Sequence, residues 1–66
     1  MVVLNSSAIR DADYDALSQE LYITFTSGLS YTYFAVPDWK FAELLAAPSA
    51  GQYFNDHIRD HHSSSR

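Results

Sequence analysis

Two short runs of alternating side chains, separated by three residues, constrain this chain more than any other feature. Leu21, Ile23 and Phe25 alternate with Tyr22, Thr24 and Thr26, and the stretch from Ser30 to Val36 is rich in aromatic and β-favouring residues. That pattern reads as the two half-buried strands of a hairpin. Facing residues in an antiparallel pair put their side chains on the same side of the sheet, so the loop length can be tested against the pattern. A two-residue loop, Ser27-Gly28, would set Phe25 against Ser30 and Ile23 against Thr32, mixing the faces. A three-residue loop, Thr26-Ser27-Gly28, sets Phe25 against Leu29, Ile23 against Tyr31 and Leu21 against Tyr33, which makes one apolar face. The other face then pairs Thr24 with Ser30 and Tyr22 with Thr32. Gly28 takes the left-handed position that closes such a loop with a bulge.

Upstream, Ser7 to Tyr14 is expected to add a first strand with Ile9 in the core. Ile9 and Tyr14 differ in parity, so both face the core only if a bulge intervenes. Asp15 to Gln19 is the connection to the next strand. After Val36-Pro37 the period changes to that of a helix, with Phe41, Leu44 and Leu45 on one side and Pro37 near the first turn. Pro48 stops it. Ser49-Ala50-Gly51-Gln52 reads as a capping box opening a second helix, whose buried stripe is Phe54 and Ile58. The expected fold is α+β: a three-stranded antiparallel β-meander followed by two short α-helices packed on one face, in the order β-β-β-α-α. Residues 1–5 are expected to be an N-terminal extension, 6–60 a single domain and 61–66 a flexible tail.

At 66 residues, a domain buries only about 60% of the surface its unfolded chain exposes, and stability is marginal. With no cysteine, neither a disulfide nor a thiolate metal knot can staple it, so the ten aromatic side chains (five Tyr, four Phe, one Trp) supply much of the core. The formal net charge is −4, with eight acidic residues against Arg10, Lys40, Arg59 and Arg66. Four scattered cations do not make the basic stripe that phosphate binding rests on, so nucleic acid is not the expected partner. The apolar stretches fall short of the roughly 20 residues of a membrane span, and Met1-Val2-Val3-Leu4-Asn5 lacks a basic leader start, so no membrane contact and a cytoplasmic location are expected.

The motifs that carry chemistry elsewhere dissolve on inspection. Asp11-Ala12-Asp13-Tyr14-Asp15 opens like a calcium loop, yet its sixth position is Ala16, not Gly, and its twelfth is Tyr22, not Glu. A solvated acidic edge or turn explains it. His57 and His61 share a helical face at the spacing of two zinc ligands, but there is no Cys and no Glu after His57; a His near a helix C-terminus serves the free carbonyls instead. No serine is marked by a positioned base and oxyanion site. No enzyme activity, metal or cofactor is expected. Of the aromatic residues, Tyr31 and Tyr33 belong to the core face, whereas Tyr22 and Trp39 fall off the apolar stripes and are the surface candidates.

Taken in order, Ser6-Ser7-x-Ile9, Tyr14-Asp15, Leu21-x-Ile23-x-Phe25, Gly28, Tyr31-x-Tyr33, Val36-Pro37 and Ser49-x-Gly51-x-Tyr53-Phe54-Asn55 with Ile58-Arg59 resemble the KTSC domain. That short module occurs alone in bacterial and phage proteins and at the C-terminus of some lysyl-tRNA synthetases. The resemblance implies no catalytic residue. By company alone it suggests RNA or tRNA contact, against which the acidic balance of this chain counts. Ser7, Tyr14, Tyr33, Asn55 and Arg59 are the matched polar-bearing positions that a packed core explains least, and a shared site is expected there first. The functional expectation is a small noncatalytic interaction module that binds a protein partner or a second copy of itself through Tyr22 and Trp39. The alternative is an RNA- or tRNA-associated accessory domain.

Overall fold

A computed structural model describes residues 2–4 and 6–65; Met1, Asn5 and Arg66, which belong to the expected extension and tail, lie outside the described residues. The chain forms an antiparallel sheet with two helices, in the order β1 (Val2–Val3), β2 (Ile9–Asp15), β3 (Glu20–Phe25), β4 (Ser30–Tyr33), α1 (Asp38–Ala46), α2 (Ala50–His57) and β5 (Ser64–Ser65). Neighbouring strands follow chain order from β1 to β5.

The hairpin has the three-residue loop. Leu21 pairs with Tyr33, Tyr22 with Thr32, Ile23 with Tyr31 and Thr24 with Ser30. The Phe25 N–H donates to the Leu29 carbonyl and the Gly28 N–H to the Phe25 carbonyl, each at 2.9 Å. Gly28 sits at φ +95°, in the left-handed region that a Cβ disfavours. On β2 the register shifts between Ile9, opposite Phe25, and Asp11, opposite Thr24, so Arg10 is the bulged residue. That extra residue brings Ile9, Ala12 and Tyr14 to the core side together, as the parity argument requires.

Three expectations need correction. Among the described residues the sheet has five strands rather than three, because Val2–Val3 pairs with Asp11 and Ala12, and Ser64–Ser65 pairs with Tyr33 and Thr32. Two-residue strands carry no alternation, so no periodicity announces them. Ser64 and Ser65, within the segment read as a tail, are thus held on an edge of the sheet. The first strand begins at Ile9, not Ser7, because the Ser6 hydroxyl accepts from the N–H groups of Ala8 and Ile9 and turns the chain there. In α1, Leu44 is fully buried and Phe41 partly so, but Leu45 is 39% exposed. One residue on from Leu44 is about 100° around the helix, which carries Leu45 off the buried face.

One core joins sheet and helices. Ile9, Ala12, Leu21, Ile23 and Tyr33 from the sheet meet Val36, Leu44, Ala50, Phe54 and Ile58. Burying each of the Ile, Leu, Val and Phe side chains is worth about 1.5–3 kcal/mol before ordering costs. The opposite face of β2 and β3 carries Asp13, Asp15, Glu20, Tyr22 and Thr24.

Candidate functional site

The site begins with the way α2 starts. Pro48 follows α1, and Ser49, in extended backbone, caps the new helix by accepting from the Gln52 N–H at 3.3 Å. This sets the first turn of α2 beside the Ser6–Ala8 turn. Between them lies a cleft of about 590 Å³, walled by Ser6, Ser7, Ser49, Gly51 and Asn55. A Cβ built on Gly51 would stand 3.5 Å from Ala8 Cβ and Ser6 Oγ, an ordinary contact, so the two walls approach without requiring glycine.

A second cleft, of about 630 Å³, adjoins the first at Ala8 and Asn55, which line both. Its floor is aromatic: Phe25, Tyr31, Tyr33 and Phe54, with Leu29 at the hairpin end and Arg59 beyond the end of α2. Edge-to-face contacts fix that floor, with ring centroids 5.6 Å apart for Phe25 and Tyr31, 5.4 Å for Phe25 and Phe54, and 5.2 Å for Tyr33 and Phe54. Arg59 Nη1 donates to Asn55 Oδ1 at 3.5 Å, a long bond that engages one of the five donors of the guanidinium. Burial raises the Tyr33 phenol above its ordinary pKa, Tyr31 adds to the shift, and the Arg59 charge works the other way. Tyr33 therefore presents a neutral hydroxyl at pH 7.

Of the five polar-bearing positions singled out above, the structure brings four together. Ser7 and Asn55 line the first cleft, and Tyr33, Asn55 and Arg59 line the second. Tyr14 is elsewhere, its hydroxyl bonded to the Val36 carbonyl and its ring stacked on Phe41. Trp39 is 56% exposed and Tyr22 38% exposed, but neither lines either of these two clefts. Tyr22 donates to Glu20, and Trp39 has the Lys40 ammonium 5.7 Å from its ring centre. Serial order gave no signal for the joining of the clefts, because Ala8, Thr26, Asn55 and Ser64 meet only in the fold.

The remaining motifs have structural occupations. Asp15 accepts from the Leu17 N–H to begin the β2–β3 turn, and Asp11, 7% exposed, pairs with Arg10 at 3.1 Å. His61 Nε2 donates to the Asp56 carbonyl, a free acceptor near the end of α2, and the His57 ring lies against Tyr53 with centroids 4.5 Å apart. Among the described residues no group of three or more His, Cys, Asp or Glu is placed to hold a metal ion. None of the described helices is long and apolar enough to cross a membrane.

Comparison with known proteins identifies the family. The KTSC domain model matches residues 5–62, so this chain belongs to the KTSC domain family. It is 42% identical over 59 residues to a protein of Tsukamurella paurometabola, covering 89% of this chain and 88% of the relative. It is 43% identical over 53 residues to a lysine–tRNA ligase of Nostoc punctiforme, covering 80% of this chain but 9% of the ligase. Among solved structures, a KTSC domain protein from Yersinia pestis superposes with a TM-score of 0.94 at 26% identity, covering 97% of this chain and 90% of that one.

Proposed function

We propose that this domain is a noncatalytic recognition module that takes an extended segment of a protein partner in the joined clefts around Asn55. One observation carries the reading: four of the five matched polar positions, scattered from residue 7 to residue 59, converge on two adjoining clefts. The aromatic floor suits apolar side chains, while Arg59, Asn55 and the serine hydroxyls offer hydrogen bonds to a peptide main chain. Among the described residues no histidine lines either cleft, so the serines there lack the usual partner of a nucleophile. Trp39 and Tyr22 lie outside this contact, which moves the interaction surface away from the two aromatics that sequence alone favours.

Selection from a displayed random-peptide library tests the proposal. The chain should enrich peptides with an apolar centre. Arg59→Ala and Asn55→Ala should weaken them at least about tenfold, as truncation at the centre of a contact does, with Trp39→Ala binding as the parent does. Enriched peptides that depend on Trp39 and ignore Arg59 would overturn it.

A second reading, an RNA-associated accessory domain, is favoured by the likeness to lysine–tRNA ligases. It predicts affinity for a small-RNA pool that falls steeply with salt. The net charge of −4 opposes it, and no such binding at low salt would remove it.

A further inference from the structure

Lys40 Nζ, on α1, lies 2.9 Å from the His57 carbonyl oxygen at the end of α2 and 2.9 Å from His62 Nε2. An ammonium only donates, so Nε2 must carry the lone pair and the ring proton must sit on Nδ1. Nδ1 in turn donates to the Phe34 carbonyl, just after β4, at 3.1 Å. The neutral imidazole is thereby held in one tautomer between α1 and the end of β4. The next residue continues the grip, since the Phe34 N–H donates to the Ser63 carbonyl at 3.0 Å. Ser64 and Ser65 then pair with Tyr33 and Thr32 as β5, a strand of two exposed residues with no buried side chain to hold it.

We infer that His62 is a proton-operated clasp that keeps β5 on the edge of β4. The groups facing the ring are Lys40 from α1, the neighbouring His61 on the turn after α2, and the Phe34 carbonyl just after β4. A second ring proton would have to occupy Nε2, where it points at the Lys40 ammonium and turns a hydrogen bond into a donor–donor clash between two cations. Burial, and then the Lys40 charge, already lower the His62 pKa below its ordinary 6.5, opposed by the bond to Phe34. On acidification the ring leaves Lys40 and the 62–65 segment loosens with it. Ser64 helps line the second cleft, so release of β5 opens that end and bares the edge of β4. This consequence for binding rests on the docking role proposed for the cleft, whereas the clasp itself does not.

Amide hydrogen exchange of the whole chain between about pH 5 and pH 8 tests it, after correction for intrinsic exchange. The Phe34 amide should lose protection by at least about threefold more than the Val36 amide, which is bonded to the Gln19 carbonyl away from the clasp. His62→Gln, which keeps an amide donor and acceptor but does not titrate, should abolish the difference. Lys40→Met, which removes the cation that the second ring proton would meet, should lessen the difference. Parallel loss at Phe34 and Val36, or the same loss in His62→Gln, would overturn the clasp. With exchange as expected, peptide affinity unchanged across the range would overturn its regulatory consequence alone. Absence of peptide binding at every pH would overturn the docking role and leave the clasp standing.

Discussion

The Tyr14 hydroxyl donates to the carbonyl oxygen of Val36 at 2.5 Å, tying β2 to the segment that leads into α1. The same side chain stacks on Phe41 of α1, with centroids 5.0 Å apart, so one residue secures both the connection and the helix. Tyr14→Phe keeps the ring stack and removes only the donor. It should lower unfolding free energy by about 1–2 kcal/mol, because a carbonyl on a buried residue loses its partner. Urea titration of the variant measures this, and its peptide binding should match the parent since Tyr14 lines neither cleft.

Left-handed backbone yields a second expectation, of opposite sign at two positions. Gly28, at φ +95°, has nothing within 4 Å of the place its Cβ would occupy. Gly28→Ala should still cost about 1–2 kcal/mol, all of it conformational. Ala35 adopts φ +57° without being glycine. Ala35→Gly should therefore stabilise by up to about 1 kcal/mol, the relief of strain exceeding the entropy that glycine adds to the unfolded chain. Thermal melts of the two variants should move in opposite directions.

The titrations give stability a dependence on pH at each end. His62 has a folded pKa below 6.5, so between the two values the unfolded chain binds the proton more readily. Its contribution is complete above the unfolded pKa of 6.5 and is lost as pH falls through the folded pKa. Urea titrations stepped down from pH 8, stopping above about pH 5 where carboxylates begin to titrate, should show the decline, and His62→Gln should reduce it. The opposite sign holds for Tyr53, whose phenol is pushed up to about 12, first by burial and then by its hydrogen bond to Glu43. That contribution is complete below the ordinary 10.0 and is lost as pH rises towards about 12, so Tyr53→Phe should flatten the alkaline limb.

Local signals made much of this fold legible. Register, loop length and the need for a bulge between Ile9 and Tyr14 follow from parity among a few apolar residues, because a slip of one residue reverses every side chain, whereas the bulge's place at Arg10 comes from the fold. The cap at Ser49 is equally local. What escaped is made of long-range contacts between residues with no distinguishing pattern. Val2–Val3 and Ser64–Ser65 are too short to alternate, and Lys40 meets His62 across 22 residues of sequence. The candidate site was half legible for the same reason. The matched positions Ser7, Tyr33, Asn55 and Arg59 lie at the clefts, whereas Trp39, set apart in the sequence by falling off the apolar stripe, lies outside them.

A nitrogen–proton correlation spectrum of the labelled chain, recorded with a library-selected peptide and separately with a small-RNA pool, tests the docking surface most directly. The account predicts that the peptide shifts resonances of Ser7, Tyr31, Tyr33, Asn55 and Arg59, leaving Trp39 and Tyr22 in place and the RNA pool without effect. Shifts centred on Trp39, or shifts at the clefts produced by RNA and not by peptide, would contradict it.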